Sequence, residues 1–176
     1  MSAPVSELRA EAPSRRPQES GGTGAMLRLN RRQVVGGELA EVFAFFKSPH
    51  NLEAITPPWL GFRVLDATDR EVREGTRITY RLRLHGIPVR WQSRITEYVE
   101  NERFADEQLV GPYQYWYHRH LFRAVPGGVE ITDAVEYRMP FGALGRLVHA
   151  AFVRRQLAQI FDYRTRVIAE QFSARG

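Results

Sequence analysis

The chain contains no cysteine among its 176 residues, which removes disulfides, thiolate metal sites and cysteine nucleophiles from its chemistry. Lysine is almost missing as well, with Lys47 alone in a set of 25 basic residues. No apolar run approaches the roughly 18 residues of a membrane-spanning helix. No secretory apolar segment opens the chain, so a cytoplasmic protein is the expectation. A phosphate-cradling loop is also lacking, because Gly21-Gly22 and Gly36-Gly37 stand without the strand, helix and lysine that would complete one. Ser93, the one hydroxyl that alternation places among inward residues near the most unusual chemistry, lies in no nucleophile-elbow motif. Covalent catalysis therefore has no nucleophile to use.

What is present starts with arginine. The balance of 25 basic and 20 acidic residues leaves a formal charge of +5, but the arginines are spread through every segment. Arg77, Arg81, Arg83, Arg90 and Arg94 fall opposite the apolar residues of their strands, as solvated faces do. Without a cluster or a docking motif, no nucleic-acid partner is expected. The length suits one domain. Residues 1–25 are rich in Ser, Pro, Gly, Arg and Glu and poor in apolar side chains, and read as a disordered tail before a single domain over residues 26–173.

Periodicity gives the order of elements. Leu27 to Val35 reads as a strand, and Glu38 to Phe46 carries Leu39, Val42, Phe43 and Phe46 at helical spacing. Ser48-Pro49 reads as an N-cap and first-turn proline for a second short helix reaching Ile55, which Thr56-Pro57-Pro58 stops. Gly61 to Asp66, Thr76 to Leu84 and Ile87 to Tyr98 follow as strands. Ile78, Tyr80, Leu82, Leu84, Val89, Trp91, Ser93 and Ile95 point inward. The last segment, Leu144 to Phe172, reads as one helix of ~40 Å whose apolar stripe includes Leu144, Leu147, Phe152, Leu157, Phe161 and Ile168. The class is α+β: a strand, two short helices, about six antiparallel strands and a long terminal helix.

Between Arg103 and Tyr137 lies the unusual chemistry. Phe104 to Gln108 alternates in period two, Gly111-Pro112 breaks the run, and Tyr113 to Arg123 resumes it. Arg119 and Arg123 mark the outer face there, so Trp116, His118, His120 and Phe122 point inward. Pro126-Gly127-Gly128 then leads into Val129 to Arg138, with Val129, Ile131, Asp133, Val135 and Tyr137 on the inner face. A turn centred on Pro112 sets Asp106 opposite His118, Gln108 opposite Trp116 and Phe104 opposite His120. A turn between Pro126 and Gly127 sets His120 opposite Asp133 and Trp116 opposite Tyr137. Asp106, His118, His120 and Asp133 thus form a polar patch in an apolar interior, costly unless its members pair. The expected pairing is Asp106 with His118 and His120 with Asp133. Histidines at i and i+2 on a strand could also ligate a metal with either aspartate, and a His held by an Asp is the orienting half of a hydrolytic triad. The structural pairing is preferred, with no metal and no cofactor.

The order of elements resembles the START-like, or SRPBCC, superfamily over about Met26 to Phe172. The wording is also similar to bacterial polyketide cyclase/dehydrase-like members: Phe45-Phe46 with Pro49-His50-Asn51-Leu52, Thr56-Pro57-Pro58-Trp59-Leu60, Gly86-Ile87-Pro88, Asp106-Glu107-Gln108 with Gly111-Pro112-Tyr113, and Phe161-Asp162-Tyr163-Arg164. The resemblance implies a helix-grip fold, a curved sheet wrapped around the terminal helix with a cavity between them. It implies a hydrophobic small-molecule partner such as a lipid, quinone or polyketide. The expected lining is Trp59, Tyr80, Trp91, Ser93, Gln108, Trp116, His118, His120 and Tyr137, with Tyr113 and Phe141 as further aromatics. Binding without catalysis is the leading expectation. One alternative is an aromatase/cyclase or dehydratase in which an Asp-oriented His118 or His120 works as acid or base. Another is an interaction module with a filled core. Monomer and homodimer both stay open.

Overall fold

Alternating apolar and polar side chains form seven antiparallel strands in a computed structural model that describes residues 25–173. The expected tail, apart from Ala25, lies outside the described residues. The strands are β1 (Leu27–Val35), β2 (Arg63–Ala67), β3 (Arg77–Leu84), β4 (Ile87–Val99), β5 (Arg103–Val110), β6 (Tyr115–Val125) and β7 (Gly128–Arg138). They form one sheet in the order β1-β7-β6-β5-β4-β3-β2. Strands β2 to β7 are a meander, and β1 returns beside its last member. His85 and Gly86, at φ 51° and 81°, make the two-residue turn between β3 and β4, the conformation whose twist matches antiparallel strands. Register shifts between Val64 and Asp66, between Gln92 and Ser93, and between Ile95 and Glu97 bend the sheet into its curve.

The expected registers hold where they matter most. Asp106 faces His118 and Phe104 faces His120 across β5 and β6. His120 faces Asp133 and Trp116 faces Tyr137 across β6 and β7. The β5–β6 ladder ends at Glu107 and Tyr117, one step short of the expected Gln108–Trp116 pair.

The helices are α1 (Leu39–Phe46), α2 (Asn51–Ala54), α3 (Gly142–Val148) and α4 (Arg154–Ser173). Two helical expectations need correction. Ser48 caps nothing with its side chain; the carbonyls of Ser48, Pro49 and His50 accept from the amides of Asn51, Leu52 and Glu53 in a tight turn, and α2 starts at Asn51. The terminal helix is not one uniform α-helix, because a π-helical turn at His149–Val153 separates α3 from α4. Val153, at the end of that turn, is half-buried and packs with the Leu157 cluster, whereas Phe152 beside it is exposed. Only the α4 part of the stripe is buried, through Leu157, Phe161, Ile168 and Phe172. Leu144, Leu147 and Phe152 are more than half exposed. Among the described residues, no helix is long and apolar enough to cross a membrane.

The interior has two apolar clusters. One gathers Phe43, Phe46, Phe104, Phe122, Ile168 and Phe172. The other gathers Trp91, Trp116, Val135, Tyr137, Leu157 and Phe161. Gly36 lets the end of α4 settle against the first, since a Cβ there would stand 2.9 Å from the Phe172 carbonyl oxygen. The polar patch lies where the clusters meet. His120 packs on Phe46 and Phe104, and His118 on Trp116 and Phe161.

Candidate functional site

Three adjacent strands supply the patch, each by its inward alternation: Asp106 from β5, His118 and His120 from β6, and Asp133 from β7. Both imidazoles and Asp133 are buried, and the two rings lie 3.9 Å apart between centroids. The expected one-to-one pairing is corrected by the side-chain geometry. His118 donates from Nε2 to Asp133 Oδ1 at 2.9 Å, and His120 Nδ1 lies 2.8 Å from the same oxygen, out of line for a hydrogen bond. Asp133 thus hydrogen-bonds His118 and stands in contact with His120. Asp106 Oδ1 stands 3.9 Å from His118 Nδ1 and 3.8 Å from His120 Nε2, too far to bond to either.

Asp106 has its own support. Ser93 donates to Asp106 Oδ2 at 3.1 Å, and that uses the only hydroxyl proton of Ser93. Trp91 Nε1 at 3.1 Å and the Tyr80 hydroxyl at 3.3 Å therefore both donate to Ser93. Burial, with the negative charge of Asp106 adding to it, pushes the Tyr80 hydroxyl well above its usual range. Tyr80 stays a donor.

The electrostatics follow from burial and neighbours. Burial pushes His118 down from 6.5 to about 4, and the nearby His120 adds to that, against the opposing pull of Asp133 and Asp106. Burial alone would raise Asp133, yet Arg164, His118 and His120 outweigh it and hold the carboxyl well below 3.8. Arg164 reaches in from α4, 4.0 Å from Asp133 Oδ1 and with its guanidinium 5.5 Å from the Phe46 ring centre. Its Nε and Nη2 are buried and make no hydrogen bond.

Above the patch, between the sheet and α4, lies a cavity of about 160 Å³. Of the residues proposed from sequence, Tyr80, Trp91, Ser93, Asp106, Trp116, His118 and His120 line it, as does Tyr113. Asp133 lies behind the histidines, outside the lining. Gln108 instead clamps the loop after β5, donating to the Tyr113 carbonyl and accepting from its amide. Tyr137 packs behind Tyr113 and Trp116. Trp59 is 56% exposed and stacks edge-on against Tyr163, outside the cavity. Phe141 is exposed. Sequence reasoning missed Arg164, Phe62 and Gln156 in the lining. Arg164 had a readable signal, since the step from Phe161 through Arg164 to Ile168 sets a cation inside the apolar stripe.

A curved antiparallel sheet closed by a long helix over an apolar cavity defines a helix-grip protein. The chain belongs to the family described as polyketide cyclase / dehydrase and lipid transport, whose model matches residues 35–162. A search of curated proteins finds no match. Among solved structures, the di-domain aromatase/cyclase StfQ of the steffimycin biosynthetic pathway is similar with a TM-score of 0.68 and 13% identity, over 85% of this chain and 51% of that one. A protein from Mycobacterium smegmatis is similar at 0.62 and 17% identity, over 85% and 93%. The ginseng major latex-like protein from Panax ginseng is similar at 0.60 and 13% identity, over 85% and 99%. At such identities the likeness concerns the fold alone.

Proposed function

We propose that the protein binds a hydrophobic small molecule between sheet and α4, with an oxygen-bearing, preferably anionic, group turned toward Arg164 and the histidine patch. The observation that carries this reading is an apolar cavity whose lining includes a buried guanidinium with two unused donors. Apolar walls with a few convergent polar groups are the usual makeup of a ligand site. The volume limits the occupant. About 160 Å³ is close to the ~150 Å³ cavity that takes up benzene and below the ~300 Å³ at which drug-sized pockets begin. A ring or a short branched chain fits this closed form, and a larger lipid, quinone or polyketide requires α4 to move outward.

An acid–base enzyme has less support. A histidine held near 4 is a weak base at neutral pH. A filled interaction module is disfavoured by the open volume itself. The test has two parts. Native mass spectrometry of the purified protein should find a co-purified small molecule. Calorimetry with benzoate and 2-naphthoate should show binding that their methyl esters lack, and Arg164→Met should weaken the carboxylates at least tenfold. Esters that bind as tightly as acids would remove the anionic preference, and no binding by any of them with no co-purified molecule would remove the site.

A further inference from the structure

We propose that Asp106, His118 and His120 bind a divalent first-row transition ion at the floor of the cavity, with Asp133 behind both histidines and hydrogen-bonded to His118. Each of the three side chains offers a donor atom, and these atoms lie within 4.8 Å of one another. An ion equidistant from Asp106 Oδ1, His118 Nδ1 and His120 Nε2, given separations of 3.8 and 3.9 Å, stands roughly 2.2–2.5 Å from each. Zinc bonds to imidazole and carboxylate are about 2.0–2.2 Å. Closure by a few tenths of an ångström is enough.

Three features beyond the triangle point to an ion. Each histidine turns one nitrogen to Asp133 and the other toward Asp106, and for His118 the hydrogen bond to Asp133 on the far nitrogen is what fixes the tautomer of a metal-bound imidazole. Asp106 is likewise held, through Ser93, by Trp91 and Tyr80. Charge is the third. Two carboxylates, Asp106 and Asp133, stand within 4 Å of the histidine nitrogens, with one guanidinium, Arg164, beside Asp133, a surplus of acidic groups that a bound cation offsets. The donors are two imidazoles and one carboxylate, a set that suits zinc, iron, nickel or copper. Three protein ligands leave positions open toward the cavity, as in sites where the ion meets a ligand. The ion site rests on the preceding reading only for what occupies those positions.

The experiment uses untagged, chelator-treated protein and cobalt(II) or zinc alone, with no organic ligand. One ion per chain should bind with micromolar or tighter affinity by calorimetry, and cobalt should show visible d–d absorption. Asp106→Asn, His118→Gln and His120→Gln should each weaken binding at least tenfold, and Asp133→Asn by about 10–100-fold. His85→Gln, on the β3–β4 turn, should change nothing. Should the buried variants fail to fold, X-ray absorption on the zinc-loaded wild-type protein decides instead, by showing or lacking two imidazole nitrogens at bonding distance. No binding tighter than millimolar overturns the site. Binding that survives both Asp106→Asn and His118→Gln overturns it too. A negative result here leaves the carboxylate titrations untouched, and metal binding without carboxylate binding would sink only the earlier reading.

Discussion

At the scale of the residue, His118 is the group most shaped by its surroundings. Unfolded, it titrates near 6.5, and folded near 4, so between those values the unfolded chain binds more protons and stability rises with pH. Acidification from pH 6.5 to 4 should therefore cost roughly 3 kcal/mol from this group alone, since each tenfold change in proton affinity between the two states is worth about 1.4 kcal/mol. Denaturant titrations in chelator should show that loss, and His118→Gln should flatten the profile in that window. A slope unchanged by His118→Gln would mean that the imidazole is not desolvated as described. Period-two alternation made all four members of the patch readable in the sequence, because one buried face leaves an inward side chain nowhere else to go. The sharing of Asp133 was not readable. Register sets which Cα atoms face each other, whereas the side-chain rotamers turned His118 from the facing Asp106 to its diagonal neighbour. A double-mutant cycle reads the difference, and His118 with Asp133 should couple by at least ~1 kcal/mol, more than His118 with Asp106.

At the scale of the element, α4 differs from the helix that its sequence suggests. Strand faces were legible because period two tolerates no drift over a few residues, and the inward set from Ile78 to Ile95 stands as read. The terminal helix was less legible because apolar residues continue through the π-helical turn at His149–Val153 with no proline or glycine to mark it. The consequence is a difference in stability between two phenylalanines of one stripe. Phe161 is 5% exposed and rests edge-on against His118, so Phe161→Ala should cost ~3 kcal/mol, the lower end for such truncations because the ring already borders a cavity. Phe152, 56% exposed, should lose less than ~0.5 kcal/mol on the same change. Chemical denaturation of the two variants checks this, and equal losses would put the π-helical turn in the core after all.

At the scale of the whole molecule, the sheet and α4 enclose space that the protein does not fill. An apolar cavity leaves its lining atoms without partners on one side, a cost that close packing would remove. Nearby side chains could have closed it. Leu157 is 5% exposed and lines the cavity from α4, just past the turn where the helix changes its winding. A larger ring there would extend into the cavity that Trp91 and Trp116 also line. Stabilising changes are common in natural proteins, and their usual cost falls on function. Leu157→Trp should therefore keep or raise the melting temperature while it abolishes carboxylate binding, and it should leave cobalt binding at the cavity floor within a few-fold of wild type. Thermal melts and calorimetry on the one variant give all three readings. A melting temperature several degrees lower would show that the space is a strained packing boundary, already as full as the fold allows, and unchanged carboxylate affinity would place the ligand elsewhere.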